Sequence, residues 1–126
     1  MTKLITNIGL GLISQRIKGL LTEPLNIAWG TGTNPPLPTD TALQTEDTSP
    51  GYARVPGASS IATISVTNDT YVVSGTVTAQ ATLTITEWGM FDTAGNLLVH
   101  EVQQTGYNLT AGQGVNFVFQ IQDVRA

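Results

Sequence analysis

The chain has 126 residues, 40% of them hydrophobic and 11% charged, and its formal net charge is −4. A chain of this length forms a single domain, expected over residues 1–126, and buries a core without a disulfide or structural metal. The absence of cysteine excludes thiol nucleophiles and cysteine-based metal sites. Five basic residues and a negative net charge argue against a nucleic-acid partner. The composition favours a structural or interaction protein over an enzyme, with no cofactor and no metal.

The amino-terminal segment, residues 1–24, predicts an amphipathic helix over residues 7–21. Its large apolar residues recur at steps of three and four, so we expect this stripe to pack on the body: Leu10, Ile13, Ile17, Leu20 and Leu21. Thr6 or Asn7 is the expected N-cap, and Pro24 prevents the helix from continuing. Polar residues interrupt the apolar run, so the sequence predicts neither a signal peptide nor a membrane partner.

After a short predicted strand, Leu25–Trp29, a long loop rich in proline and glycine is expected over residues 30–59. Gly30–Thr33 resembles a phosphate-binding loop only superficially, because it lacks the Gly-Lys-Ser/Thr ending, and we interpret it as a turn. In Asp40–Glu46, Asp40 could cap one helical turn while Leu43 packs on the sheet. A loop of this length is rarely kept without a function, so it is the first candidate for contact with a partner.

The remainder, residues 60–126, predicts an antiparallel β core. Apolar and polar residues alternate with period two, and the connections are too short for parallel crossovers. With Leu25–Trp29 the chain has about six strands, forming a compact β-sandwich or barrel; the other five are Ser60–Thr67, Tyr71–Ala79, Leu83–Phe91, Leu97–Gln103 and Gly112–Asp123. In Leu83–Phe91 the large residues change parity, which predicts a bulge near Glu87. Gly95 or Asn96 is expected at positive φ in the next turn.

The sequence assigns roles to two side chains that can carry charge, His100 and Arg54. His100 is the only histidine, and ordinary strand alternation favours a solvent-facing side chain. The alternative is a catalytic base faced across the hairpin by Glu87 or Asp92, and a small hydrolase is therefore kept as a remote possibility. Arg54 is expected to pair with Glu46 or Asp47 and hold the ends of the loop together.

Several segments in order along nearly the whole chain resemble small structural proteins of tailed bacteriophages. These segments are Lys18–Pro24, Ile27–Thr33, Thr39–Glu46, Ile85–Asp92 and Ala94–Leu98. Such proteins include capsid decoration (cement) proteins, and similar segments occur in tail-fibre and tail-tip proteins. Trp88 departs from the smaller aliphatic residue expected between Glu87 and Gly89.

The resemblance implies a virion component made in the host cytoplasm. The favoured form is a homotrimer on the capsid surface that binds the major capsid protein lattice, because trimers suit local three-fold positions. A tail-fibre, tail-tip or baseplate module is the alternative, and no small-molecule substrate is expected. The residues expected to contact the partner are Pro35, Pro36, Pro38 and Arg54 of the loop, with Arg16 and Lys18 of the helix as the competing surface.

Overall fold

A computed structural model describes residues 2–48 and 53–125. Within them one helix, α1 (Asn7–Ile17), accompanies eight strands: β1 (Thr2–Ile5), β2 (Asn26–Gly30), β3 (Val55–Pro56), β4 (Ala58–Ala62), β5 (Thr70–Thr78), β6 (Leu83–Phe91), β7 (Leu97–Leu109) and β8 (Gly114–Gln122). A five-stranded sheet has the order β1-β7-β6-β2-β3 and a three-stranded sheet the order β4-β5-β8. All pairs are antiparallel. The predicted mainly β, antiparallel fold is confirmed, as a sandwich and not a closed barrel.

The core lies between the two sheets and is formed by the inward-facing residues of both. On β8 the predicted alternation is confirmed, since Phe117 and Phe119 are buried while their neighbours Asn116 and Val118 are exposed. Trp29 of β2 and Trp88 of β6 are opposite each other in the register and both contribute to the core. Trp88 also lies 5.6 Å from the ring of Phe117 in the other sheet. The aromatic residues therefore join the two sheets.

Strand number and strand ends differ from the prediction. β1 occupies part of the segment expected to be helical and pairs with β7, while β3 and the start of β4 lie inside the expected loop 30–59. β4 ends at Ala62 and not at Thr67, because the Asp69 carboxylate accepts hydrogen bonds from the backbone N–H groups of the following residues 64–66. A strand has to point these groups sideways, so the carboxylate folds the segment into a turn.

The helix is shorter than predicted, and it packs on the body through a different face. It ends at Ile17 in a Schellman motif: Gly19 has φ of 88°, its N–H bonds the Arg16 carbonyl and the Leu20 N–H bonds the Gln15 carbonyl. The buried helical residues are Gly9 and Leu12. A Cβ at Gly9 would lie 2.5 Å from the Leu98 carbonyl oxygen, so glycine permits the close approach of α1 to β7.

The predicted apolar stripe of the helix is mostly exposed. Ile17 is 85% exposed and Leu10 57%, and Leu20 and Leu21 are exposed after the helix end. Ile13 is the one stripe residue that packs partly against the core. The prediction that the stripe holds the helix on the body is therefore wrong, and the two residues Gly9 and Leu12 do this instead.

Other local predictions are confirmed. Thr6 is the N-cap, and its hydroxyl accepts a hydrogen bond from the Gly9 N–H at 2.9 Å. Gly95 has φ of 87° in the turn after β6. The pairing of β6 with β7 slips between Ile85 and Glu87, which is the expected bulge. As a result Ile85, Trp88 and Met90 all contribute to the core.

Candidate functional site: a surface loop held over buried charges

The outer face of the five-stranded sheet is covered by residues 31–47, which we call the covering loop. The Thr31 N–H donates to the Thr45 carbonyl at 3.0 Å, which joins the two arms of the loop. The Asp47 N–H donates to the Trp29 carbonyl of β2 at 3.0 Å, which joins the end of the loop to the sheet. Small residues on the sheet make room for it: a Cβ at Gly30 would collide with the Thr45 carbonyl oxygen. The covering loop therefore lies directly on the sheet.

An apolar contact anchors the middle of the covering loop. Leu43 is buried in a cluster with Ala28, Phe91 and Leu97, as the sequence predicted. The expected helical turn over Asp40–Glu46 does not form. The Asp40 carboxylate instead accepts the Leu37 N–H at 2.8 Å, and the Asp40 N–H bonds the Leu37 carbonyl at 3.0 Å. Asp40 therefore closes a turn that precedes it and does not cap a helix that follows.

Glu87 holds both arms of the covering loop from beneath. Its carboxylate is fully buried and accepts hydrogen bonds from the backbone N–H groups of Gly32 at 3.1 Å, Gln44 at 2.9 Å and Thr45 at 2.6 Å. At the bulge, the side chain of Thr86 also points to the covering loop, and its hydroxyl donates to the Gly32 carbonyl at 2.7 Å. Two successive side chains of β6 thus satisfy the backbone of the loop.

His100 completes this arrangement, and its predicted solvent-facing position is wrong. Its side chain is fully buried, with Nε2 2.8 Å from Glu87 Oε2 and Nδ1 2.7 Å from Asp40 Oδ2. The expectation that Glu87 faces His100 across the hairpin is confirmed by this contact between β6 and β7. Asp92 is directed elsewhere and accepts hydrogen bonds from Asn96. We call Glu87, His100 and Asp40 the charge cluster.

The charge cluster stabilises its own ionised form. Burial favours neutral Glu87, but hydrogen bonds from His100 and from three backbone N–H groups outweigh it and hold the pKa of Glu87 below its ordinary value. Burial likewise opposes charge on His100, but the bonds to Glu87 and Asp40 raise its pKa above the ordinary value. Both ring nitrogens face carboxylate oxygens, to each of which the protonated ring can donate an N–H, so this geometry favours the imidazolium form of His100.

Arg54 holds the end of the covering loop that contains Glu46. Its guanidinium donates to both carboxylate oxygens of Glu46, at 3.0 Å and 2.9 Å, and lies 3.6 Å above the centre of the Phe91 ring. This confirms the predicted ion pair between Arg54 and Glu46. The same contacts engage Arg54 within the molecule, although the sequence placed it among the partner-contacting residues.

The tip of the covering loop faces outward. Pro35, Leu37 and Pro38 are exposed, whereas Pro36 is buried. The Pro38 carbonyl accepts the Asn7 N–H at 2.7 Å, which ties the tip to the start of α1. The tip is thus connected to the fold on two sides, by α1 and by the charge cluster.

The competing basic residues lie at the other end of the helix. Arg16 and Lys18 are exposed, and Arg16 donates to the Leu21 carbonyl at 2.7 Å. Arg16 follows Asn7 by nine steps along the helix, or about 14 Å along the axis. The structure therefore places the exposed tip of the covering loop and the two basic residues at opposite ends of α1.

The charge cluster is suited to holding structure more than to acid–base chemistry. Both nitrogens of His100 are bonded to carboxylates, so neither is left to take a proton from a nucleophile. In the described part of the chain, no three or more His, Asp or Glu side chains are grouped so as to hold a metal ion. Nor does any helix there have the length and apolar character to cross a membrane.

Comparison with known proteins adds no relative. No family model, curated protein or solved structure matches this chain.

Sequence reasoning missed the main role of Glu87 and the whole role of Asp40. One signal was available: Glu87 interrupts a strand that is otherwise apolar or β-branched, next to a predicted bulge. A charge at such a position needs a partner. Its backbone partners lie more than 40 residues away in the covering loop, and no local pattern indicates contacts of that range.

Proposed function

We propose that this protein is a virion structural protein, and specifically a capsid decoration protein that binds the major capsid protein lattice as a homotrimer. Two observations support this. The first is the resemblance of its segments to structural proteins of tailed phages. The second, which carries the proposal, is the way the fold holds an exposed loop in one conformation by means of buried charges.

The covering loop is preorganised for contact with a partner. Flexible loops lose conformational entropy when they dock, and that loss weakens binding. Here the backbone is already fixed, since Glu87 alone accepts three of its N–H groups. The prolines restrict the tip further. A loop held in this way binds by shape at little entropic cost, which suits a subunit that must stay attached to a particle.

The chemistry of the tip supports recognition of a protein surface. Pro35, Leu37 and Pro38 present an apolar, rigid surface, and Leu37 is 56% exposed. A contiguous exposed apolar patch is typical of an interaction surface. Two acidic side chains of the covering loop, Asp40 and Glu46, are engaged with His100 and Arg54. The proposed docking contact is therefore formed by shape and apolar burial.

Cryo-electron microscopy of purified virions tests this proposal. Density that fits the sandwich at the local three-fold positions of the capsid, with residues 34–38 toward the shell, is the expected result. Density at the tail would replace decoration by the tail-fibre, tail-tip or baseplate alternative. A virion that lacks the protein altogether would overturn the proposal of a virion component.

A further inference from the structure

A single carboxylate oxygen joins the tip of the covering loop to the buried ring of His100. Asp40 Oδ2 accepts the Leu37 N–H at 2.8 Å and lies 2.7 Å from His100 Nδ1. Leu37 is exposed at the tip, whereas the His100 side chain is fully buried. The turn that presents Leu37 therefore depends on the same oxygen that faces the histidine.

The two protonation states of His100 can satisfy different numbers of carboxylates. The imidazolium has two N–H donors, one for Glu87 and one for Asp40. A neutral ring keeps one N–H, and the lone pair on its other nitrogen repels a carboxylate oxygen. Loss of one proton therefore removes one of the two bonds that His100 makes.

Asp40 is the partner that a neutral ring releases. The Glu87 side chain has no exposed surface and also accepts three backbone N–H groups of the covering loop, so it cannot move into water without breaking them. The Asp40 side chain is 19% exposed, so its carboxylate can turn outward and be hydrated. Because a buried charge without a donor is costly, the remaining N–H stays with Glu87.

Within the described residues, His100 faces two charged groups, Glu87 of β6 and Asp40 of the covering loop. On β1 the residue opposite His100 is Leu4, and the next pair along, Lys3 and Glu101, alternates to the other face of the sheet. Other charged residues of the elements packed there are bonded away from the ring: Glu101 to Trp88 Nε1, Arg54 to Glu46, and Arg16 of α1 to the Leu21 carbonyl.

We propose that His100 and Asp40 form a proton-dependent latch, which fixes the turn at residues 37–40 to the sheet while His100 is charged and frees it when the ring is neutral. The rest of the covering loop stays in place, because Gly32, Gln44 and Thr45 remain bonded to Glu87. The freed turn keeps its backbone bond to the start of α1. The latch follows from these contacts, and its effect on particle binding rests on the proposed function.

The latch regulates how Leu37 is presented to a partner. The pKa of His100 lies above its ordinary value of 6.5, because the bonds to Glu87 and Asp40 outweigh burial. The latch is therefore closed at pH 6.5 and opens at a higher pH. When about a tenth of the molecules have the binding conformation, the apparent dissociation constant is about tenfold higher. Attachment to particles should weaken accordingly as His100 loses its proton.

Nuclear magnetic resonance of the full chain, without particles and between about pH 6 and 10, tests the latch. The ring signals of His100, the only histidine, report its protonation. The methyl signals of Leu37 report the turn, and those of Leu43 report the part of the loop that is buried on the sheet. We expect the Leu37 signals to change with the midpoint of His100, and the Leu43 signals to stay constant.

Asp40→Asn should remove the response of the turn to pH. An amide has both a donor and an acceptor, so it can bond Nδ1 with or without the ring proton. The Leu37 signals should then no longer follow the titration of His100. The matched control is Asp123→Asn, the same chemical change at an exposed residue after β8 of the other sheet, which should keep the wild-type response.

Co-sedimentation with particles that lack the protein measures the consequence for attachment. Above the midpoint of His100, the dissociation constant of the wild type should be about tenfold higher than below it. The dissociation constant of Asp40→Asn should change less, which separates the latch from any effect of pH on the particles themselves. An equal change in the two proteins would overturn the role of the latch in attachment.

Four results of the resonance experiment would overturn the latch itself. They are Leu37 signals that stay constant through the midpoint of His100, a change of Leu43 equal to that of Leu37, a full response of Leu37 in Asp40→Asn, and a ring that stays charged until the whole chain unfolds. None of these measurements needs particles. A chain that binds particles at no pH would instead contradict the proposed function and leave the latch unaffected.

Discussion

His100 Nε2 lies 2.8 Å from Glu87 Oε2, and neither side chain reaches solvent. A buried ion pair is seldom a net source of stability, because both charges must leave water. Here the pair is joined by Asp40 on the far ring nitrogen and by three backbone N–H groups on the carboxylate. These bonds connect the sheet to the covering loop, so the cluster determines where the loop lies.

Glu87→Gln should destabilise the protein by about 3–5 kcal/mol, the usual cost of removing one partner of a buried pair. The amide keeps the size of the side chain but presents N–H to backbone N–H groups that need an acceptor. Urea unfolding followed by circular dichroism measures the change. The matched control is Glu101→Gln: Glu101 is also buried, but it accepts one hydrogen bond, from Trp88 Nε1 at 2.9 Å, which an amide oxygen can still accept. Equal losses in the two variants would show that the loop contacts of Glu87 add nothing.

Stability should depend on pH through the same pair. His100 has a pKa above its ordinary 6.5, so the folded state holds a proton that the unfolded chain releases, and stability falls as pH rises from about 6.5 to the folded value. The limiting slope is about 1.4 kcal/mol per pH unit. Glu87 has a pKa below its ordinary 4.5, so stability also falls as pH drops below about 4.5. Unfolding free energies from pH 3 to 9 measure both arms.

Because His100 is the only histidine of the chain, His100→Gln isolates the upper arm of this profile. The variant should lose the fall above pH 6.5 whatever its absolute stability. A wild-type profile that is flat between pH 6.5 and 9 would mean that His100 is not held as an imidazolium. The sequence interpretation expected a replaceable surface histidine, and the structure reverses that expectation.

The sequence predicted what local periodicity can express. Strands β5, β6 and β8 were found within two residues of their ends, and the bulge near Glu87 followed from the change of parity. The helix face was wrong, because Gly9 adds nothing to an apolar pattern and yet allows the closest approach to the sheet. β1 and β3 were missed because strands of four and two residues carry too little pattern. The charge cluster was missed because its parts come from distant segments.

Two glycines should respond to alanine in opposite ways. Gly30→Ala inserts a methyl group against the Thr45 carbonyl and 2.7 Å from Glu87 Oε1, so the covering loop must move, and a loss of about 1–3 kcal/mol is expected. Gly11 of α1 is exposed with only the Gln15 side chain within 4 Å, so Gly11→Ala should gain about 1 kcal/mol from helix propensity. Thermal unfolding of both variants compares them. A stable Gly30→Ala protein would contradict the close contact between loop and sheet.

Ile17→Asp should leave the isolated fold nearly intact. The sequence interpretation placed Ile17 against the body, where an unpaired charge costs several kcal/mol, but its side chain is 85% exposed. The remaining cost is the unfavourable position of a carboxylate in the last helical turn, about 0.3–1 kcal/mol. Unfolding at a concentration where the chain is monomeric measures it. Leu12→Asp is the contrasting variant. Leu12 is 2% exposed, so a carboxylate in its place should detach the helix from the sheet and destabilise the protein. Equal destabilisation by the two would restore the original assignment of the helix face.

Attachment to particles should depend on the tip of the covering loop. Shortening residues 34–38 is a poor test, because it also removes the bond from Asn7 to the Pro38 carbonyl and the turn closed by Asp40. Leu37→Ser keeps these backbone bonds and removes only an apolar side chain that is 56% exposed. It should leave the melting temperature unchanged and weaken binding to particles that lack the protein by about tenfold or more.

The control for this experiment is Ile61→Ser, which removes a side chain of similar exposure outside the loop and should bind normally. The competing surface is tested by Arg16→Gln with Lys18→Gln, which should mainly slow binding and reduce its dependence on salt if the helix steers the approach. Co-sedimentation with particles at several salt concentrations measures all three proteins. Full occupancy by Leu37→Ser would exclude the loop tip as the principal contact. Loss of occupancy only in the doubly neutralised helix would transfer the contact to α1, where Arg16 and Lys18 are exposed.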